Sequence, residues 1–272
     1  MNFFNKIVLK LFTKTLNNNI RFKDLHKGQS CYIFGNGSSL KYYDLKLFND
    51  KASIGCGALF AHKDFKDLNF KYYYVAHPLF FHKFWKNPYS KRYEKNKVGE
   101  FYRKNMHLFP STQYFMSLSN YFGIKGDNIS YVYHFGQVDE LSVDNQMDEV
   151  FSMMGGSLLG MIGVALYLGF KDITLVGCDY TLSPRIEGHF YERGPEKRRE
   201  ASAFLGTILN LIKDKVTIRT MTPNEEFTGA VLPSITYKAF VGDDPVYKDN
   251  NKILSEENLK ELDSMGMEYK IY

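Results

Sequence analysis

Cysteine is scarce: three residues in 272, Cys31, Cys56 and Cys178. None forms a C-x-x-C pair, and all three fall in or beside expected strands. A disulfide framework and a cysteine metal site are thereby excluded, and the thiols read as reduced core residues of a cytosolic protein. Long apolar runs are missing as well. No stretch approaches the roughly 18–20 residues of a membrane span. The apolar beginning is broken by Lys6, Lys10 and Lys14 and lacks a small-residue cleavage site, so no signal peptide is expected. No Asp-x-Asp pair stands near an expected strand end, and Gly242-Asp243-Asp244 falls in a polar loop, so no metal site is expected. Tryptophan occurs once, against 23 Phe and 20 Tyr, so the aromatic content of the core comes from those two residues.

What is present suits one large domain. Hydrophobic residues make up 44%, enough for a sizeable core. The net charge of +5 is concentrated at the start. Residues 1–29 hold six Lys/Arg and one acid, and the remainder is neutral. In this leader Phe4, Ile7, Val8, Leu11 and Phe12 recur at helical spacing, with lysines elsewhere on the wheel. Such a helix suits an anionic membrane surface, or packing against its own domain or a partner subunit. Residues 81–107 mix eight Lys/Arg and two Glu with aromatics and suggest an inserted helical segment or a lid over the sheet edge. With a neutral body, this short patch points to an anionic sugar or nucleotide rather than nucleic acid.

The stretch "YIFGNGSSL", Tyr32 to Leu40, is a buried strand running into a glycine-rich turn that could open a helix. Such turns hold phosphate in α/β folds. The pattern lacks both G-K-[ST] and a third glycine, so a turn without a ligand remains open. Further strands are expected at 52–56, 70–78, 107–111, 129–135, 172–178 and 214–220. A helix apolar nearly all round, through Leu158, Met161, Ile162, Ala165, Leu166 and Leu168, precedes "DITLVGC" and is expected to be buried. Gly160 and Gly163 would admit a close neighbour, and Gly169 ends the helix. This is half a βαβ unit. It places Gly35–Ser39 and Asp179–Thr181 on one rim, with Gly155, Gly156 and Ser157 at a helix N-terminus able to face it. Residues 222–240 suggest a pocket-edge segment with a short helix, and 255–267 a surface helix capped by Ser255.

The blocks "IFGNGSSL", "GGSLLGMIGVALYLGFKDITLVGCDY" and "HFYERG…ASAFL" together resemble the small bacterial sialyltransferases of lipooligosaccharide synthesis. They also resemble the related flagellin-modifying and transferase-like proteins. The likeness spans roughly residues 30–225. It implies a Rossmann-like α/β domain, a mostly parallel sheet with a small lid of about 81–107, over residues 30–240. A C-terminal surface segment of 241–272 follows. The implied function is transfer of a sialic acid or related ulosonic sugar from a CMP-sugar to a cell-surface glycan or glycolipid. No cofactor or metal is implied, and the expected location is cytoplasmic or at the inner face of the membrane. Oligomerisation is left open.

The resemblance also implies roles. Gly35, Asn36 and Gly37, with Ser38 in the same turn, would contact the nucleotide. Ser157 after Gly156 would contact the donor. His77 stands where the family has an Asn. Asp179, Tyr180 and Thr181 fall at the Gly-x-Asp-aromatic block, where Thr181 replaces an expected Tyr, leaving Tyr180 and Tyr191 to hold the leaving phosphate. Counting back from the following helix puts Arg193 at the position of the catalytic base, with His189 four residues earlier. Either a local gap makes His189 the base or the chemistry differs, and His77 is the next candidate. Alternatives in other classes are a transferase with another nucleotide-sugar donor, a nucleotide-dependent diphosphokinase, and a membrane-docked binding protein without activity.

Overall fold

The computed structural model describes residues 3–85, 96–134, 146–153, 155–193, 197–201, 206, 209, 210 and 212–265. Its centre is an eight-stranded sheet in the order β12-β10-β6-β1-β2-β3-β4-β5. The strands are β1 (Ser30–Phe34), β2 (Ala52–Cys56), β3 (Phe70–Val75), β4 (Gln113–Ser117), β5 (Ile129–Val132), β6 (Asp172–Val176), β10 (Thr217–Thr222) and β12 (Ser234–Thr236). Every pairing among them is parallel. The chain runs outward from β1 to β5, then returns to place β6 on the other side of β1. Strand order therefore reverses between β1 and β6, and in open α/β sheets ligands bind beyond the carboxyl ends at such a switch. The expected Rossmann-like, mostly parallel α/β fold is what the structure has.

Both faces of the sheet are covered, which is why β1 and β6 read as unbroken apolar runs rather than alternating ones. Successive side chains leave a strand on opposite sides. Tyr32 and Phe34 enter one core, and Cys31 and Ile33 enter the other. The second core is roofed by α3 (Ser157–Tyr167), in which Leu159, Met161, Ile162, Val164 and Ala165 are all buried. Its Gly160 is required by a close approach, since a Cβ there would lie 2.1 Å from the Tyr74 ring. The first core is covered by α2 (Lys97–Leu108), by short 3-10 turns and by the C-terminal segment. All three cysteines are buried and free.

Several local expectations change. The turn after β1 opens a 3-10 turn, Ser38–Tyr42, not an α-helix. Leu40 N donates to Gly37 O and Tyr43 N to Leu40 O, and the chain then turns again at Asp44. Residues 107–111 are not a strand. His107 and Leu108 end α2, Pro110 cannot continue it, and β4 starts only at Gln113. β3 stops at Val75 and β5 at Val132, short of the expected bounds.

Residues 222–240 lie beside the β12 edge of the sheet. They form β11 (Thr228–Gly229), which pairs antiparallel with β7 (Leu182–Ser183), the edge strand β12 and the short α4 (Tyr237–Val241). Beyond them come α5 (Asn250–Ile253) and α6 (Glu256–Ser264), the latter capped by Ser255, whose hydroxyl accepts from Asn258 N at 3.1 Å. This segment, expected on the surface, sends Ile253, Leu254 and Leu262 into the first core. Within the expected lid, α2 is a packed wall with Phe101, Tyr102 and Met106 buried, and residues 86–95 lie outside the described residues.

The leader forms α1 (Phe3–Asn17). Its apolar residues divide between two faces. Val8 and Phe12 pack on the first core and Leu16 is buried, whereas Phe4, Ile7 and Leu11 are exposed. No helix among the described residues is long and apolar enough to cross a membrane.

Candidate functional site

The carboxyl ends of β1, β2, β3 and β6 open into a cleft of about 720 Å³. Asn36 after β1, Gly57 after β2, and Ala76 and His77 after β3 line it, as do Gly156 and Ser157 at the start of α3. Phe80, Trp85 and Tyr102 line it with aromatic rings beside Val98, and Tyr180, Glu187, His189, Glu192 and Arg199 complete the lining. A smaller hollow of about 310 Å³ adjoins it, lined by Gly35, Gly37, Gly155, Gly177 and Asp179 among others. Asn36, Ser157, Tyr180, Gly188 and His189 border both, so the two form one continuous site.

The Gly-Asn-Gly turn is held from two sides. Gly35 N donates to Val176 O at 2.9 Å and Gly37 N to Gly177 O at 2.8 Å. Asp179 takes the Ser39 amide at 2.8 Å and the Ser39 hydroxyl at 2.5 Å. Asp179 is only 2% exposed, so its carboxylate chiefly ties the two strand ends together. Gly57, with φ +65°, leaves room for the Asn36 amide, which a Cβ there would overlap at 1.5 Å. The Asn36 carbonyl oxygen on its side chain and the Tyr74 hydroxyl are both buried without a hydrogen-bond partner. Unpartnered polar atoms on the walls of a cleft are what an incoming polar ligand would satisfy. In the same cleft α3 presents the N–H groups of its first turn at Gly156 and Ser157, with no side-chain cap, a favourable place for an anion.

The segment carrying His189 is pinned to this turn. Phe190 N donates to Asn36 O at 2.9 Å, and Gly37 and His189 form an isolated antiparallel bridge. The His189 ring stacks on Tyr191, 5.1 Å between centroids and 7° from parallel. Its Nδ1 lies 2.5 Å from Oε1 of Glu192, which is buried. An ionised carboxylate only accepts, so this pairing puts the proton on Nδ1 and leaves Nε2 as the basic nitrogen. Lys41, also buried, donates from Nζ to the Glu192 backbone carbonyl at 2.8 Å and fixes that residue's position.

His77 lies on the far wall, stacked on Phe80 at 5.6 Å, and burial pushes its pKa below the ordinary value. Tyr74, Tyr102 and Tyr191 are all shifted well upward, first by burial, so these hydroxyls keep their protons. Tyr180 is 46% exposed at the mouth, with the Arg185 guanidinium 5.6 Å over its ring. Beside it Arg185 and Arg199, on the hairpin of β8 (Arg185–Glu187) and β9 (Lys197–Arg199), both clasp Glu187, at 3.0 and 2.8 Å.

Most expected site residues thus meet in one place: Gly35, Asn36, Gly37, His77, Gly156, Ser157, Asp179, Tyr180, His189 and Tyr191. Three do not. Ser38 is 2% exposed and borders neither hollow. Thr181 is buried with its hydroxyl bound to Cys178 O at 2.7 Å and to Thr220 at 2.6 Å. Arg193 lines a separate hollow with Lys63, Asn251 and Lys260.

Glu192, Tyr74, Tyr102 and Arg199 had not been singled out. Glu192 is readable as the third residue after His189 and Arg199 lies ten positions after it, whereas Tyr74 and Tyr102 come from distant parts of the chain. Among the described residues no three His, Cys, Asp or Glu side chains are grouped as metal ligands.

No protein-family profile and no curated protein sequence matches the chain. Two solved structures are similar in overall shape. One is the MAf glycosyltransferase from Magnetospirillum magneticum AMB-1, at 12% identity and a TM-score of 0.46, over 89% of this chain and 38% of that one. The other is the sialyltransferase CstII from Campylobacter jejuni in complex with the substrate analogue cytidine-5'-monophosphate. It has 17% identity and a TM-score of 0.46, over 87% of this chain and 98% of that one.

Proposed function

We propose that the protein is a glycosyltransferase that moves a sialic acid or related ulosonic sugar from a CMP-sugar to a hydroxyl of a glycan or glycolipid. The observation that carries the reading is His189, oriented by buried Glu192, in the same cleft as the Gly-Asn-Gly turn and the N-terminus of α3. These are the parts that such a transfer requires. His189 Nε2 takes the proton of the acceptor hydroxyl as its oxygen bonds to the anomeric carbon. The bond from that carbon to the donor phosphate oxygen breaks, and its electron pair leaves with the phosphate. The free N–H groups at Gly156 and Ser157 and the protonated Tyr191 and Tyr180 hydroxyls are the donors available to the departing charge. A positioned base contributes roughly 10²–10⁴-fold. The aromatic wall of Phe80, Trp85 and Tyr102 limits access of water to the donor.

The test is a thermal-shift series with CMP, UDP, GDP and ATP-Mg²⁺, followed by a transfer assay with the CMP-sugars. A ligand that binds only the folded state raises the midpoint in proportion to the logarithm of its concentration over Kd. Stabilisation by CMP together with product formation is expected. Stabilisation by UDP or GDP alone would assign another donor, ATP-Mg²⁺ alone a diphosphokinase, and no nucleotide response a binding protein.

A further inference from the structure

The helix α1 carries more apolar surface than the domain covers. One face packs inward: Val8 and Phe12 rest on the core, Leu16 is 1% exposed, and Asn5 accepts from the Tyr133 hydroxyl at 2.8 Å. On the other face Phe3 is 80% exposed, Phe4 69%, Ile7 39% and Leu11 74%. At about 100° per residue these four fall in one stripe. Lys6, Lys10 and Lys14, spaced by four, form a second row along the edge of that stripe. The helix contains no acidic residue. Beside it Phe122, 79% exposed, stands edge-on to Phe12 at 6.4 Å between ring centroids.

We propose that this outer face of α1 is a docking surface for anionic lipid, with Phe3, Phe4, Ile7 and Leu11 entering the headgroup boundary and Lys6, Lys10 and Lys14 meeting lipid phosphate. The charge decides between occupants. An apolar stripe meant for a second copy of the chain would bring two lysine rows together around a twofold axis, with no acid on the helix to offset them. A lipid surface of negative charge attracts each lysine instead. The inner face explains how the helix is presented. Docked on the sheet edge beside β5 through Val8, Phe12 and Leu16, α1 is already ordered before it meets the bilayer. The surface stands apart from the cleft, so its failure would leave the reaction proposed above untouched.

The experiment is co-sedimentation of the full chain with vesicles of phosphatidylcholine alone and with phosphatidylglycerol added, at low and high salt. Binding is expected to the anionic vesicles and to fall with added salt. Phe4→Glu/Leu11→Glu should lower it at least ~10-fold, since two side chains leave the apolar stripe and two negative charges face the anionic lipid. Lys6→Gln/Lys10→Gln/Lys14→Gln should weaken binding to anionic vesicles alone. Circular dichroism and the thermal midpoint monitor folding, and both should hold because the altered side chains face away from the core. Equal sedimentation of the two variants and the unaltered chain overturns the proposal. So does an unaltered chain that ignores both vesicles but runs as a dimer that the Phe4→Glu/Leu11→Glu change makes monomeric.

Discussion

The Nδ1 atom of His189 lies 2.5 Å from Oε1 of Glu192, a residue 2% exposed, and the two are three positions apart in the chain. The carboxylate therefore sets which imidazole nitrogen is basic. Glu192→Gln keeps the shape, but its amide accepts more weakly and can turn an N–H toward Nδ1. The expected loss in kcat is roughly 10–100-fold, the value of one hydrogen bond to a charged group. The KM for the donor should stay nearly constant, because neither residue serves mainly to hold the nucleotide. His189→Ala should cost roughly 10²–10⁴-fold. If Glu192→Gln changes KM and leaves kcat alone, the pair is a binding element and not a base with its orienter.

Asn36 and Arg193 separate two readings of nucleotide binding. Asn36→Ala removes a side-chain amide from the cleft wall while the backbone contacts of Gly35 and Gly37 remain. Calorimetry should show weaker CMP binding by roughly 3–10-fold, about the net value of one hydrogen bond. Arg193→Ala should leave CMP affinity unchanged, since Arg193 lines a different hollow. A marked loss of affinity on Arg193→Ala would mean that the cleft is rearranged when the nucleotide binds.

Gly160→Ala tests the contact between α3 and β3. The added Cβ would stand 2.1 Å from a Tyr74 ring that is itself fully buried. Overpacking of this kind costs about 1–3 kcal/mol, read from denaturant unfolding. Tyr74→Leu alone should also destabilise. In the double variant the leucine makes room for the methyl group, so the combined loss should fall short of additive, a coupling of about 0.5 kcal/mol or more. Strict additivity would show that the two residues do not share the strain.

His62 should govern part of the acid sensitivity. It is 3% exposed, and burial drives its pKa from the ordinary 6.5 down to about 3. The Lys248 ammonium adds to the effect of burial, the opposing Asp44 carboxylate does not overcome it, and His62 Nδ1 already accepts from the Asp64 backbone N–H at 3.2 Å, which requires the unprotonated nitrogen. The unfolded chain takes up a proton near pH 6.5 and the folded chain near pH 3. Between those values the unfolded state holds more protons, so stability falls as pH is lowered, by up to roughly 1.4 kcal/mol per pH unit from this group. His62→Asn should lower stability at pH 7 through lost packing, yet flatten the decline from pH 6.5 to 4 in denaturant titrations. An unchanged slope would assign the acid sensitivity to other groups.

How much was legible beforehand follows from the range of each interaction. Strands β1, β2 and β6 and helix α3 were readable because an unbroken apolar run ending in glycine is a local pattern. The turn at Gly35–Gly37 and the start of α3 at Ser157 were readable for the same reason, as was the pairing of Glu192 with His189 had the spacing of three been weighed. The strand in 107–111 was misplaced because an apolar pair before proline looks alike at a helix end and in a strand. The five apolar residues of the leader formed one helical stripe on paper, and nothing in their spacing could assign Val8 and Phe12 to the core and Leu11 to the outside. That division depends on β5 and Tyr133, more than a hundred residues away. Placement in the cleft likewise needed three dimensions. Thr181 and Arg193 are near Asp179 and His189 in the chain, but Thr181 turns inward to Thr220 and Arg193 outward to Asn251. Tyr74 and Tyr102, unremarkable among 20 tyrosines, reach the cleft because the order of strands brings β3 and α2 beside it. The sequence by itself determined the α/β pattern, the buried helix and the glycine-rich turn, since each is specified by neighbours within a few residues. Only the tertiary structure decided which polar side chains share a cavity, because that depends on which strand ends lie side by side.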